Sequence, residues 1–289
     1  MQIVGVIGAG LMGNGIAHVA AQSGYDVILS DVTMERAAAG LANIEKNMAR
    51  QVSKGSLAAA DRDAALARIA LTTDADRFSS AELVIEAATE NEALKLKIFA
   101  DLCPRLKSSA ILATNTSSIS ITRLAAATDR PDRFAGVHFF NQVPLMALVE
   151  IIPGLATTPA TLASLHGFAA KLGKTAVEAA DSPAFIVNRM LCPMLNEAIF
   201  VLGDGVGSVT DIDAGMKLGA NHPMGPLALA DYIGLDTLLA VMRVMQDGTG
   251  DPKYRPAPLL VKYVEAGWHG KKSGRGFYDY SGPEPSPTR

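Results

Sequence analysis

The sequence predicts an α/β fold, a doubly wound parallel sheet, followed by a second, smaller, all-helical C-terminal domain. Three observations predict it. Short, β-branched apolar runs alternate with helical segments through residues 1–183. A glycine-rich turn closes the first of those runs. After Asp181-Ser182-Pro183 strand signals fade and helical periodicity takes over. Strands that alternate with helices favour parallel order, because each crossover helix covers a face of the sheet. The expected domains are therefore 1–183 and 184–289, with no long linker between them.

Each element has its own signal. Residues 2–7 are an apolar run ending in glycines, a first strand. A helix is predicted over 16–23, a second strand over 26–29 and a long, polar-faced helix over 33–54. Further strands fit 83–87, 110–114, 134–139 and 148–152, and 175–178 adds a last edge strand. Beyond the boundary, helices are predicted over 185–202, 209–218, 226–246 and 258–266. The tail 281–289 is polar and proline-rich, which predicts a mobile end.

Composition narrows the function classes. At 289 residues there is room for two domains. A hydrophobic share of 49% and a mean hydropathy of +0.21 suffice for a core, and a charged share of 19% is too low for disorder. The net charge of −3 gives no electrostatic footprint for nucleic acid or an anionic membrane. No apolar run reaches the ~18 residues of a membrane span, and no basic segment precedes a long apolar stretch as in a signal peptide. Cys103 and Cys192 follow no disulfide or metal-ligand spacing, so a reducing, cytoplasmic setting is expected, and no metal.

The strongest single feature is Gly8-Ala9-Gly10-Leu11-Met12-Gly13. Gly8 permits the tight turn out of the strand, and Gly10 leaves room for a pyrophosphate against the backbone. Gly13 lets the next helix pack close to the sheet and aim its unpaired N–H groups at the phosphates. Such a run alone is weak evidence. Here it follows a strand, opens a helix and is followed by Asp31 at the end of the next strand, where a carboxylate meets ribose hydroxyls and repels the extra phosphate of NADP. These features imply a Rossmann-type domain that binds NAD. Ala87-Ala88-Thr89-Glu90 and Thr114-Asn115-Thr116-Ser117-Ser118 also follow short strands, where ligands bind in open α/β sheets. Taken alone, each is equally a helix N-cap.

Moving a hydride from an alcohol needs a group to accept the hydroxyl proton, and histidine titrates in the right range. His138 ends a predicted strand and precedes Phe139-Phe140-Asn141. By itself it reads either as a satisfied core histidine or as a base at the sheet's rim. Glu150 sits inside the apolar run Leu148-Val149-Glu150-Ile151-Ile152. It either faces water from an edge strand or is buried and needs a partner, which a nearby imidazole would supply.

Gly8–Gly13, Ser117-Ser118, His138-Phe139-Phe140-Asn141, Leu148-Val149-Glu150 and Phe185-Ile186-Val187-Asn188-Arg189 together resemble the 3-hydroxyacyl-CoA dehydrogenase family. So do MKLGANHPMGP at 216–226 and GKKSGRGFYDY at 270–280. The resemblance runs to about Tyr280, in order, and is nearest the bacterial short-chain, 3-hydroxybutyryl-CoA-type enzymes. It implies that His138 is the base and Glu150 its orienter, with Ser117 and Asn188 on the substrate's 3-oxygen. It implies an NAD site that includes Asp31, Glu90, Lys95, Asn115, Ser117, Asn141 and Lys272, and CoA contacts at Asn47, Lys54 and Ser117. The implied reaction is (S)-3-hydroxyacyl-CoA to 3-ketoacyl-CoA, or the reverse, in a cleft between the domains. Apolar stripes on the C-terminal helices suggest a homodimer.

The chain departs from the family's usual residues at Gln142 (a proline), Ala147 (a lysine) and Ala184 (a glycine). No catalytic group is lost, but acyl-chain preference and loop mobility are left open. A hydroxyacid dehydrogenase acting on free acids would need a catalytic-lysine motif, and none is found. A non-catalytic NAD-binding protein should have lost His138 or Glu150, and both are present.

Overall fold

The structure is a computed structural model that describes residues 1–289 and forms two compact units, Met1–Phe185 and Ile186–Arg289. The first unit holds an eight-stranded sheet. Its elements are β1 (Ile3–Ile7), α1 (Leu11–Gln22), β2 (Asp26–Ser30), α2 (Met34–Ser53), α3 (Ala59–Ala67) and β3 (Ile69–Thr72). They continue with β4 (Leu83–Glu86), α4 (Glu92–Leu102), β5 (Ile111–Thr114), α5 (Ile121–Ala126), β6 (Phe134–Phe139), β7 (Leu148–Pro153), α6 (Pro159–Lys171) and β8 (Thr175–Glu178).

The sheet order is β3-β2-β1-β4-β5-β6-β7-β8. Strands β1 to β6 run parallel. The sheet is not parallel throughout: β7 returns antiparallel to β6, and β8 follows β7. A hairpin too short for a crossover helix joins β6 to β7, which forces the reversal. Strand residues alternate between two apolar layers. Leu83, Ile85, Ala113, Val137 and Ile151 pack on one face, and Val84, Leu112, Phe134 and Ile152 on the other. This two-sided burial is why the central strands read as continuous apolar runs.

Several element bounds differ from the sequence expectation. Helix α1 begins at Leu11, straight after the glycine turn. Strand β3, half exposed at the sheet's edge, gives no clear apolar run and is missed by sequence reading.

The second unit is helical, with α7 (Val187–Gly203), α8 (Val209–Gly219), α9 (Pro226–Ile233), α10 (Leu235–Thr249) and α11 (Pro258–Glu265). The expected single helix over 226–246 is two, because Gly234 turns the chain at φ +104°. The tail is not loose. Ser286–Pro287 (β10) pairs antiparallel with Tyr278–Asp279 (β9), and Thr288 N donates to Phe277 O at 2.9 Å.

Two buried carboxylates organise this unit. Asp213 accepts from Leu227 N and Ala228 N at the start of α9, and from the Tyr278 hydroxyl at 2.8 Å. Asp231 accepts from Phe277 N, Tyr278 N and the Tyr280 hydroxyl. The turn over 270–280 thus wraps Asp231, and a Cβ on Gly276 would lie 2.0 Å from its Oδ1. Burial pushes the Asp231 carboxyl above its ordinary range, partly offset by these hydrogen bonds.

Candidate active site

The glycine turn lies between the ends of β1 and α1. Gly8 has φ +95°, and a Cβ there would meet Ala87 O at 2.7 Å; on Gly13 it would lie 1.6 Å from Gly8 O. Neither position admits another residue without a shift of backbone. Gly10 is different, because a Cβ on it would meet nothing within 4 Å. Its bareness preserves open space, as a close-lying pyrophosphate requires.

That space belongs to a cavity of about 940 Å³, lined among others by Gly8, Gly10, Leu11, Met12, Asp31 and Asn47. The volume suits a large cofactor. Asp31 Oδ2 accepts from Ala9 N and Oδ1 from Val32 N, each at 2.8 Å, so its carboxylate is fixed beside the turn. These residues fit a dinucleotide without a 2′-phosphate. Lys54 caps the far end of α2, exposed, about two turns beyond Asn47.

A second group gathers at the carboxyl ends of β4, β5 and β6. Buried Glu86 accepts from Ala88 N, from the Thr114 hydroxyl at 2.7 Å and from Lys95 Nζ at 2.8 Å on both oxygens. Lys95 is 1% exposed and 3.7 Å from Glu90, so its charge is held by two carboxylates instead of lining the cavity. Glu90 Oε1 accepts from Thr116 Oγ1, Ser117 N, Ser117 Oγ and Ser118 Oγ at 2.5–3.2 Å. Asn115 N donates to Glu86 O, and its Oδ1 accepts from Phe139 N at 2.8 Å. One side chain thereby links the end of β5 to the residue after His138.

His138 and Glu150 are direct cross-strand partners on β6 and β7. Nδ1 of His138 lies 2.7 Å from Glu150 Oε2; the histidine is 6% exposed and the glutamate 0%. An ionised carboxylate only accepts, so Nδ1 carries the hydrogen and Nε2 carries the ring's lone pair. Phe140 and Phe185 flank the imidazole at 4.6 and 5.8 Å between ring centroids. Phe185 follows Ala184, and both take positive φ, 52° and 66°. A glycine suits the Ala184 conformation better, so this chain bears backbone strain at that point.

The hairpin beyond His138 has its own anchors. Asn141 Oδ1 accepts from Gln142 N within the turn. Gln142 has φ +41°, which a proline, fixed near about −65°, cannot adopt. Lys174 Nζ donates to Val143 O and Met146 O, each at 2.7 Å, and burial holds its ammonium below the usual lysine range. Sequence reasoning missed Lys174 and Glu86, since a surface-looking lysine and a strand-end glutamate carry no local sign of their partners.

In the second unit Asn188 stands in the first turn of α7, half buried. Lys272 Nζ pairs with Asp236, at 2.6 Å from Oδ1. No group of three or more histidine, cysteine or acidic side chains is placed to hold a metal.

Comparison with known proteins places these features. Residues 3–182 match the family model for the 3-hydroxyacyl-CoA dehydrogenase NAD binding domain, and residues 185–280 that for the C-terminal domain. A 3-hydroxybutyryl-CoA dehydrogenase of Bradyrhizobium diazoefficiens is 60% identical over 286 residues, covering 99% of this chain and 98% of that one. The human mitochondrial hydroxyacyl-coenzyme A dehydrogenase is 45% identical, covering 96% and 90%. The crystal structure of (S)-3-hydroxybutyryl-CoA dehydrogenase from Ralstonia eutropha superposes with a TM-score of 0.95 at 51% identity, covering 98% and 100%. With both of its units matched over nearly their full length, the chain belongs to the 3-hydroxyacyl-CoA dehydrogenase family of NAD-dependent oxidoreductases.

Proposed function

We propose that the protein interconverts (S)-3-hydroxybutyryl-CoA and acetoacetyl-CoA, and related short-chain pairs, with NAD(H). The observation that carries this reading is the buried His138–Glu150 pair on the sheet that also carries the glycine turn. When bound, NAD supplies the hydride acceptor for C3. Nε2 of His138 takes the hydroxyl proton as the C3–O bond gains carbonyl character. Glu150 holds the ring's tautomer and faces the imidazolium with a negative charge. Ser117 and Asn188 are assigned to the substrate's 3-oxygen, where hydrogen bonds strengthen as charge develops. Glu90, Lys95 and Asn115 are assigned to shaping the cofactor end of the site, with Asn141 and Lys272. Asn47 and Lys54 are assigned to the CoA moiety, Lys54 as a charge for phosphate.

NADH consumption is the direct test. Acetoacetyl-CoA should be reduced with a higher kcat/KM than longer 3-ketoacyl-CoAs, and free acetoacetate should be inert. Turnover of free acetoacetate at a comparable rate would overturn the assignment to acyl-CoA.

The protein is further assigned to the cytoplasm as a homodimer joined through residues 184–289, which also serve the substrate, while 1–183 serve NAD. Two free, buried thiols support a reducing compartment; burial pushes the Cys192 thiol up to about 12. No helix is long and apolar enough to cross a membrane.

A further inference from the structure

The cofactor cavity holds a cation to which the NAD assignment gives no role. Arg36 is the only cationic side chain among its lining residues. It stands one turn into α2, and its Nη1 lies 3.9 Å from Asp31 Oδ1. The two differ sharply in freedom. The Asp31 side chain is 15% exposed and tied to Ala9 N and Val32 N, while that of Arg36 is 69% exposed. At this separation and exposure the pair contributes little to stability. Arg36 is therefore a cation beside the ribose-recognising carboxylate, with no strong partner holding it there.

We propose that Asp31 and Arg36 form an opposed specificity pair: Asp31 excludes a 2′-phosphate, and Arg36 is already placed to bind one. The carboxylate repels a ribose phosphate at close range. The guanidinium, on a long arm at the cavity mouth, has the reach and the forked donors to receive that phosphate. Asp31 is then the single barrier between this chain and NADP(H), because the attractive half of an NADP site is in place. The remaining acidic lining residue, Asp101, lies at the end of α4 and pairs with Arg105 at 3.0 Å.

The inference rests on the cofactor reading of this cavity, and binding measurements keep the two apart. Dissociation constants for NADH and NADPH would be measured by calorimetry on the full chain. The proteins are wild type, Asp31→Asn, Asp31→Ser, and each of these with Arg36→Ala. Wild type should prefer NADH by at least about tenfold. Asp31→Asn keeps one oxygen for Ala9 N and should bind NADPH at least about tenfold tighter than wild type does. Adding Arg36→Ala should remove most of that gain and leave NADH binding within about threefold. The gain should also shrink as salt rises, since the guanidinium is exposed.

Failure of wild type to bind NADH would overturn the cofactor reading, and this inference with it. Normal NADH binding with no NADPH gain in either Asp31 variant would overturn the pair alone. A gain that survives Arg36→Ala would show relief of repulsion without a phosphate contact, and would equally overturn it. The serine variant guards against loss of the loop in the asparagine one.

Discussion

A buried glutamate on a central strand is costly unless its charge is used. Glu150 meets that condition by lying 2.7 Å from the His138 ring, with two aromatic rings limiting water around the imidazole. Removing the imidazole while keeping the fold is the sharpest test of the proposed base. His138→Ala should lower kcat for acetoacetyl-CoA reduction by about 10²–10⁴ and leave the NADH dissociation constant nearly unchanged. Glu150→Gln should also lower kcat, because it removes the negative charge that faces the imidazolium. Wild-type turnover by His138→Ala with normal NADH binding would refute the base assignment. This pair was legible in the sequence because a charge inside an apolar strand demands an explanation within the fold. Asp213 and Asp231 were not, because an acid in an amphipathic helix looks like a solvent-facing residue until its partners are known. Their partners lie 14 to 65 residues away, beyond the reach of any local pattern.

Helix α1 carries both the cofactor turn and a hidden titratable group. His18 is 1% exposed, its Nε2 lies 3.3 Å from Gln51 Oε1 on α2, and its Nδ1 is buried without a hydrogen-bond partner. Burial lowers its tendency to protonate below the usual 6.5, against opposing hydrogen bonds from Gln51 and Gln22. The unfolded chain therefore takes up a proton at His18 as pH falls through 6.5, while the folded protein does not. The sign follows: stability is present above 6.5 and lost as pH falls toward the lower folded value. Thermal melts of wild type and His18→Leu between about pH 7 and pH 5 should show the shallower loss in the variant. Equal slopes would mean that His18 binds its proton as readily folded as unfolded, against the effect of its burial. At this scale the sequence was legible where periodicity was long, as in α2 and α7. It misled where an exposed edge interrupted the pattern, as at β3, or where one glycine broke a helix, as at Gly234. The tail misled for a different reason. Pro287 has no N–H to give, yet the polar residues beside it pair once Tyr278–Asp279 offers an edge, and Thr288 N donates to Phe277 O.

At the scale of the whole molecule, the helical unit presents apolar side chains that a second copy would cover. Met190, Val206 and Leu218 are 65%, 76% and 86% exposed. Scattered exposed apolar residues are ordinary on a monomer, so their number proves nothing. Met190 on α7, Val206 in the loop before α8 and Leu218 near the end of α8 are the side chains a self-complementary, two-fold contact through this unit, the commonest form of assembly, would cover, although Leu11, Val32, Leu145 and Leu155 of the first unit are exposed as well. Light scattering at micromolar concentration should then give a mass near twice 30.2 kDa. Glutamate at Met190, Val206 or Leu218, each introduced separately, should drive at least one variant to the monomer, because a buried unpaired charge at an interface costs several kcal/mol. Leu155, 90% exposed on the sheet unit, is the control, and Leu155→Glu should remain dimeric. NADH binding by every variant separates dissociation from unfolding. A wild-type mass of 30.2 kDa would exclude the dimer. A dimer that survives all three helical-unit charges, or that Leu155→Glu breaks, would move the interface away from residues 184–289.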